Sequence, residues 1–563
     1  MSKRYFVLLA LGIVALGVHA GAAHAQSPGK PGHAAIASAH KLATAAGFET
    51  LAAGGNAFDA AVTVAAALSV VEPQSSGIGG GGLFLLHRAA DARDVMVDAR
   101  ETAPAAVDAK KYLDAKGDLD QDKSWNGPLA AAIPGEVAGM VWISQHYGKL
   151  PLSTSLAPAI RIARDGFQPD SRFLRELASR ADVIRRYPAG AALLLENGTA
   201  PKAGWTFKNP DLAHTLELVA ANGDDGFYRG EFAHRLVDGV KAAGGGWSLQ
   251  DLDGYRVKER EPLAFDYRGW HIVTASPPSS GGIALAEMLN ILSAYDLAKY
   301  DSTHRIHFIV EAMRRAYRDR AEYLGDPDYV KMPIERLTGM KYADKLRASI
   351  QADKATPSSS LPGYLNPHES THTTHFSIID ADGNMAGVTQ TVNLPFGNGM
   401  VVAGTGFVLN NEMDDFALKA GAPNAFGLVG NDANAPKAGH RPLSSMTPSF
   451  VIGADRVGVI GTPGGSRIIT MVLEGILSFI DGELPAQIVA KPRFHHQYLP
   501  DVISAEPHAF SADETRSLEK MGYVVNEGER TWGFMNVVSW DRKTGEMHAA
   551  ADPRGTSGSG EVK

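Results

Sequence analysis

The stretch Ala57 to Val71 reads as an almost wholly apolar helix, resuming after Gly54-Gly55-Asn56 has broken the chain. A helix that is apolar all round has no face to offer water, so it must be covered on every side. That demand sets a minimum size for the fold, because several layers have to surround this one element. A chain of 563 residues can supply them, either as several domains or as one large fold with an extensive core. The whole stretch from Gly32 to Val71 is Ala-rich and is expected to be helical outside its glycine break.

Four consecutive glycines, Gly79 to Gly82, then lead into an apolar strand, Leu83 to His87, with Val95 to Ala99 as its expected partner. Such a run predicts close backbone packing or tight turns. It is not a phosphate loop, since no Gly-Lys-Ser/Thr follows. From Gly135 to Arg320 the pattern is mostly helical, with amphipathic periods over Val137–Tyr147, Leu212–Asn222, Ala284–Leu297 and His304–Glu322. Pro357 to Gly363 reads as an exposed loop.

Beyond that loop the character changes. Thr374–Asp380 and Met385–Asn393 are strand-like, joined by the hairpin signal Asp382-Gly383. Further strands are expected at Gly406–Leu409, Ser449–Ile452, Val457–Ile460, Val524–Asn526 and Phe534–Ser539, with a buried helix over Ile468–Ile480. Helices together with antiparallel strands predict an α+β fold of stacked layers, sheet on sheet with helices outside.

Charge and cysteine content narrow the chemistry. Lys plus Arg number 54 against 62 Asp plus Glu, so no basic surface for nucleic acid is indicated. The absence of cysteine excludes disulfides, a thiol nucleophile, Cys-ligated zinc and cysteine-held iron–sulfur clusters. At the N-terminus, Lys3 and Arg4, the apolar run Phe6 to Val18 and the small-x-small site Ala23-His24-Ala25 form a secretory signal peptide over 1–25. Its removal leaves Gln26 first and directs the protein to the periplasm or outside the cell. No membrane anchor is expected afterwards, because no later apolar run is long enough to span a core of about 30 Å.

Two motifs overlap at the end of the loop. His368-Glu369-Ser370-Thr371-His372 matches the zinc-protease pattern, which works only on a helix that brings both histidines to one face. Here Asn366-Pro367 precedes it and a Ser/Thr-rich strand follows, so the context contradicts a metal site. The second motif is Thr373-Thr374-His375 at the head of a strand. If the His372–Thr373 bond breaks, Thr373 becomes an N-terminus carrying both a hydroxyl nucleophile and an α-amine base. That amine, with a pKa of about 8, needs little tuning to act near neutral pH. Ordinary β-propensity of Thr-Thr is the competing explanation.

Thr373-Thr374-His375, Thr391-x-Asn393, Leu409 to Phe416 (LNNEMDDF), Pro442 to Met446 (PLSSM) and Pro463 to Ser466 (PGGS) together resemble gamma-glutamyltranspeptidase, a family of N-terminal nucleophile hydrolases. Gly54–Asp59, Gly77–Gly82, Asp98–Glu101, Pro277–Gly282, Tyr323–Asp328, Arg493–His496 and Asp552–Arg554 extend the resemblance, in order, over nearly the whole mature chain. It implies an αββα four-layer sandwich made by self-cleavage of one precursor between His372 and Thr373. The large subunit is then 26–372 and the small, catalytic subunit 373–563, interlocked in one globular fold. It also implies a γ-glutamyl-threonine intermediate, formed from glutathione or related amides and passed to water or to an amino-acid or peptide acceptor. No cofactor and no metal are implied.

The same resemblance assigns roles that suit the residue types. Thr373 is the nucleophile and Thr391 its hydrogen-bonding neighbour, with the N–H groups of Gly464 and Gly465 as oxyanion hole. Arg100 forks onto the substrate α-carboxylate, helped by the Ser444 and Ser445 hydroxyls. Asn393, Glu412 and Asp415 accept from the α-ammonium. Read singly, these residues have ordinary explanations: Arg100 beside Glu101 as a surface ion pair, Asp414-Asp415 as a solvated turn, Ser444-Ser445 as a helix cap, and Pro463-Gly464-Gly465 as a turn. His495-His496 are read as packing or hydrogen-bonding residues. Pro423–Asn434 resembles the family's lid loop, with Phe426 where many members carry a tyrosine. A lid closed by apolar packing alone is the expectation. Glu412, where some members carry Gln, is expected to favour donors with a free α-amine. A glutaryl-type cephalosporin acylase on the same scaffold, an HExxH zinc protease and a non-enzymatic binding protein are the alternatives.

Overall fold

Alternation along single strands shows how the layers stack. Within Gly81–Arg88, Leu83 and Leu85 join one apolar cluster while Phe84 and Leu86 join another. Within Ser449–Ile452, Phe450 joins the first of these clusters and Val451 a third. Successive strand side chains point to opposite faces, so the shared cluster lies between two sheets and the other two lie outside them. Residues of the helices Lys41–Ala52, Ala57–Val71 and Glu136–His146 fill one outer cluster. Residues of Gly281–Leu292, Ser302–Tyr323 and Ile468–Ile480 fill the other. The result is the four-layer αββα sandwich. The computed structural model describes residues 29–361 and 373–563. The signal segment 1–25, the motif His368–His372 and the His372 side of the expected scissile bond lie outside those residues.

The first sheet has seven antiparallel strands in the order Ser559–Val562, Ala35–Ser38, Thr374–Ile379, Met385–Thr391, Gly81–Arg88, Arg93–Ala99, Lys258–Arg260. The second has six, in the order Met547–Ala551, Asn536–Asp541, Arg456–Gly461, Ser449–Ile452, Trp270–Thr274, Leu263–Tyr267. Each sheet therefore mixes strands from before and after position 372.

Ala57–Val71 is buried along its whole length. Its first turn is closed by a capping box, in which Asn56 accepts from the Asp59 N–H and Asp59 accepts from the Asn56 N–H, each at 3.0 Å. The glycine run does bring backbones together: a Cβ on Gly80 would overlap the carbonyl oxygen of Thr391.

Three expectations are corrected. Ala35–Ser38 is a strand, not helix, because it is gripped by Ser559–Val562 and Thr374–Ile379 on its two edges. Gly406–Leu409 is not a strand. It joins neither sheet: Val408 makes a lone bridge to Val401, the Leu409 N–H donates to Met400 O at 3.0 Å, and Asn209 Nδ2 donates to Gly406 O at 2.6 Å. Within the segment read as mostly helical lies a hairpin, Leu263–Tyr267 with Trp270–Thr274, turned by Arg268 and Gly269 at φ 49° and 82°.

Candidate active site

The first sheet sets the centre of the site. Thr374 pairs with Gln390 across antiparallel strands, so Thr373, one residue before its strand, faces Thr391 at the end of the next. Their hydroxyl oxygens are 3.3 Å apart. Thr391 Oγ1 also accepts from the Asn393 N–H at 2.8 Å, which fixes one lone pair. Asn393 adopts φ 75° there, and its Nδ2 donates to Asn411 O at 3.0 Å, leaving the amide oxygen as the end open to a ligand. His375 is no base: burial pushes its pKa down to about 3, and its ring nitrogens meet Thr389 and Ser377.

The acidic wall comes from a short 3₁₀ turn, Glu412–Asp415. Residues three apart eclipse in such a turn, so Glu412 and Asp415 reach the same target, Arg100. This arginine follows the strand Arg93–Ala99 and is buried, not a surface residue. Its Nη1 lies 2.7 Å from Glu412 Oε2 and 3.4 Å from Glu101 Oε2, and its Nη2 lies 2.5 Å from Asp415 Oδ2. The Glu412 contact pairs charges without hydrogen-bond alignment. One guanidinium thus faces three carboxyl groups. Burial pushes the Glu101 pKa up to about 7 and that of Glu412 well above the ordinary range, against the pull of Arg100. Burial also works against the charge of Arg100, but Glu412, Glu101 and Asp415 prevail and hold its pKa above the usual value. The cluster lacks positive charge.

Ser444 and Ser445 line the same cavity as Glu412 and Asp415. Ser444 is tied by its N–H to Pro278 O at 2.9 Å, and its own carbonyl accepts from the Ser280 N–H and Oγ. Arg320 Nη2 donates to Ser445 Oγ at 3.3 Å. Gly464 and Gly465 follow the strand Arg456–Gly461 with φ 148° and 56°. A Cβ on Gly465 would overlap the Phe426 ring.

Arg100, Thr373, Thr391, Asn393, Glu412, Asp415, Ser444, Ser445 and Gly465 line one cavity of about 20 Å³, room for a water but little more. Gly464 is not among its lining residues, and His372 lies outside the described ones. Phe426, Leu428, Met446 and Ile468 complete the wall. The loop over it is held by more than apolar packing, which corrects the expectation for Phe426. Asn424 Nδ2 donates to Asp415 Oδ1 at 2.9 Å, and the Ala425 N–H to Asp414 Oδ2 at 2.7 Å. Asn424 Oδ1 accepts from the N–H groups of Phe426 and Leu428. Asn424 and Glu101 were missed as site residues. An Asn two residues before Phe-Gly, an Asx-turn pattern, was the available signal for the first. Adjacency to Arg100 was the signal for the second. His495 and His496 are hydrogen-bonded core residues, to Thr470 and Gln497 and to Asp501 respectively.

A family model described as gamma-glutamyltranspeptidase matches residues 43–562. The "Glutathione hydrolase proenzyme" of Escherichia coli strain K12 is 42% identical over 525 residues, covering 92% of this chain and 90% of the relative. The cephalosporin acylase of Bacillus halodurans superposes with a TM-score of 0.83 at 28% identity, over 95% of this chain and 96% of that one. The gamma-glutamyltranspeptidase of Helicobacter pylori matches with a TM-score of 0.56 at 38% identity, over 59% of this chain and 96% of that one.

Proposed function

Because this chain belongs to the gamma-glutamyltranspeptidase family, we propose that the cavity at Thr373 is where it processes itself and then cleaves γ-glutamyl bonds. The protein is a glutathione hydrolase and γ-glutamyltransferase. In maturation, Thr373 Oγ attacks the His372 carbonyl, the acyl group shifts from nitrogen to oxygen, and water hydrolyses the ester. This frees the Thr373 α-amine. In catalysis that amine takes the hydroxyl proton as Oγ attacks the γ-carbonyl of the donor. The protonated amine then gives the proton to the leaving nitrogen. Water or an acceptor amine attacks the γ-glutamyl ester and regenerates Thr373. Thr391 hydrogen-bonds the nucleophile, and the N–H groups of Gly464 and Gly465 receive the oxyanion.

The observation that carries the substrate assignment is the charge imbalance around Arg100. Three carboxyl groups share one guanidinium. A γ-glutamyl group arrives with an ammonium that Glu412, Asp415 and Asn393 accept, and a carboxylate that Arg100 binds in a fork beside Ser444 and Ser445. The donor's own ion pair replaces the internal one, so neither charge is buried alone. A glutaryl group brings no ammonium and leaves the acids undercompensated, which favours the transpeptidase over the acylase. Segment 1–25 addresses the chain to the periplasm or beyond, and no helix among the described residues is long and apolar enough to cross a membrane. The processed protein consists of 26–372 and 373–563, joined through both sheets, and uses amino acids or peptides as acceptors.

Wild type and Thr373→Ala, run on denaturing gels and assayed with a γ-glutamyl anilide with and without a dipeptide acceptor, test the mechanism. Two bands with acceptor-stimulated activity are expected of wild type, and a single inactive band of the variant. Cleavage of the variant at the same bond refutes self-processing.

A further inference from the structure

Among the described residues seven arginines are buried, and one differs from the rest. Arg100, Arg172, Arg314, Arg315, Arg441 and Arg493 each have a carboxylate within ion-pair distance. Arg320, in the last turn of Ser302–Tyr323 and 5% exposed, has none among the described residues. Its Nε donates to Ser280 Oγ at 2.9 Å and its Nη2 to Ser445 Oγ at 3.3 Å. Burial without a counter-charge in contact pushes its pKa down to about 10, against the pull of Tyr317 and Asp415. A buried charge of this kind is costly unless an anion completes it.

Its two contacts lead to the substrate cavity. Ser280, which accepts from Arg320, donates to Ser444 O at 2.7 Å and so pins the segment carrying both cavity serines. Ser445 Oγ already accepts the Arg320 N–H. Its own O–H is therefore directed elsewhere, and Ser445 lines the cavity. A hydroxyl held in this way is a donor aimed at an anion, backed by a positive charge one hydrogen bond behind it.

Building on the γ-glutamyl reading above, we propose that Arg320 is a positioning residue for the donor's α-carboxylate: it turns the Ser445 hydroxyl into a hydrogen-bond donor toward that group and supplies the buried positive charge behind it. The site then carries surplus acids at Glu412 and Asp415 and, behind Ser445, a cation with no carboxylate in contact among the described residues. This polarity matches a zwitterion in one orientation only.

The test compares γ-glutamyl p-nitroanilide with 4-aminobutanoyl p-nitroanilide, the same donor without its α-carboxylate, in processed enzyme. Wild type is expected to prefer the first in kcat/KM. In Arg320→Met the preference falls by about tenfold or more, mainly through KM, the effect of one hydrogen bond to a charged group. In a Ser445→Ala background the same substitution adds little, because the two act as one unit. Arg320→Lys keeps the charge but cannot span both serines, and lowers the preference by at least about threefold. This second variant decides the outcome if the Met variant does not fold. A preference within about twofold of wild type in Arg320→Met, or in Arg320→Lys where that decides, overturns the proposal. A wild type indifferent to the α-carboxylate overturns the γ-glutamyl reading instead.

Discussion

Replacing Asn424 by alanine removes the knot that ties the Pro423–Asn434 loop to the active site. The side chain makes three bonds: Nδ2 to Asp415 Oδ1 at 2.9 Å, and Oδ1 from the N–H groups of Phe426 and Leu428 at 2.9 and 3.1 Å. A hydrogen bond to a carboxylate is worth about 1.5–3 kcal/mol and a neutral one about 1 kcal/mol. Water reaches this half-buried position and replaces part of what is lost. The lower end applies, a net weakening of about 2 kcal/mol, or about 30-fold in the open-to-closed ratio of the loop. Two consequences follow. Limited proteolysis within the loop becomes about 30-fold faster, provided opening and closing outpace cutting. The KM for a γ-glutamyl anilide rises, because Asp415 loses the partner that orients the oxygen not held by Arg100. Asn424→Asp is more damaging than Asn424→Ala, since it sets a second carboxylate against Asp415. Loop cleavage at the wild-type rate in Asn424→Ala, with KM within about twofold, would refute the assignment of Asn424 as the latch.

Thr391→Val removes the hydroxyl 3.3 Å from Thr373 Oγ1 and the acceptor of the Asn393 N–H. A fall in kcat of about 10- to 100-fold is expected, with Thr391→Ser recovering most of it in the anilide assay and with slower processing of the Val variant on gels. Thermal stability should decline between about pH 6.5 and 8. Burial pushes Glu72, Glu101 and Asp414 up to about 7 and Glu474 to about 8. The folded protein holds protons that the unfolded chain has released, so its advantage shrinks as pH rises through these values, by a few kcal/mol in all. At lower pH the buried neutral histidines oppose this slope, His375 at about 3 and His496 at about 4, because unfolding lets them take up protons. A melting temperature that is flat or rising from pH 6.5 to 8 contradicts the reasoning.

Elements whose cause is local were legible in the sequence. The helices Ala57–Val71 and Ile468–Ile480 and the strand Ser449–Ile452 have the ends their patterns indicate, since an apolar run bounded by breakers carries its own limits. Ala35–Ser38 was not legible: alanine favours helix, and only pairing with Thr374–Ile379 and Ser559–Val562, distant in sequence, makes it a strand. The same division holds at the site. Motif order alone brings Thr373, Thr391, Arg100 and the paired serines together. Arg320 escaped notice because a buried arginine on a helix looks, in sequence, like any exposed one. Its meaning lies in the carboxylate that is not beside it, a fact of packing alone. The polar latch at Asn424 was hidden for a similar reason: Phe426 drew attention to ring packing, while the bonds run through a neighbouring amide.

The interleaving of strands from both sides of position 372 has a consequence for the life history of the molecule. Before the proposed cut at His372–Thr373, folding is a unimolecular search in which every strand is tethered to its partners. After it, the same sheets join two separate polymers, and re-forming them from the unfolded state depends on concentration. The proposed processing therefore converts a fold that can be regained into one that is held mainly by the slowness of its loss. Under the proposed cut, the enzyme's persistence then rests on its unfolding barrier, which is left to the shared sheets to maintain.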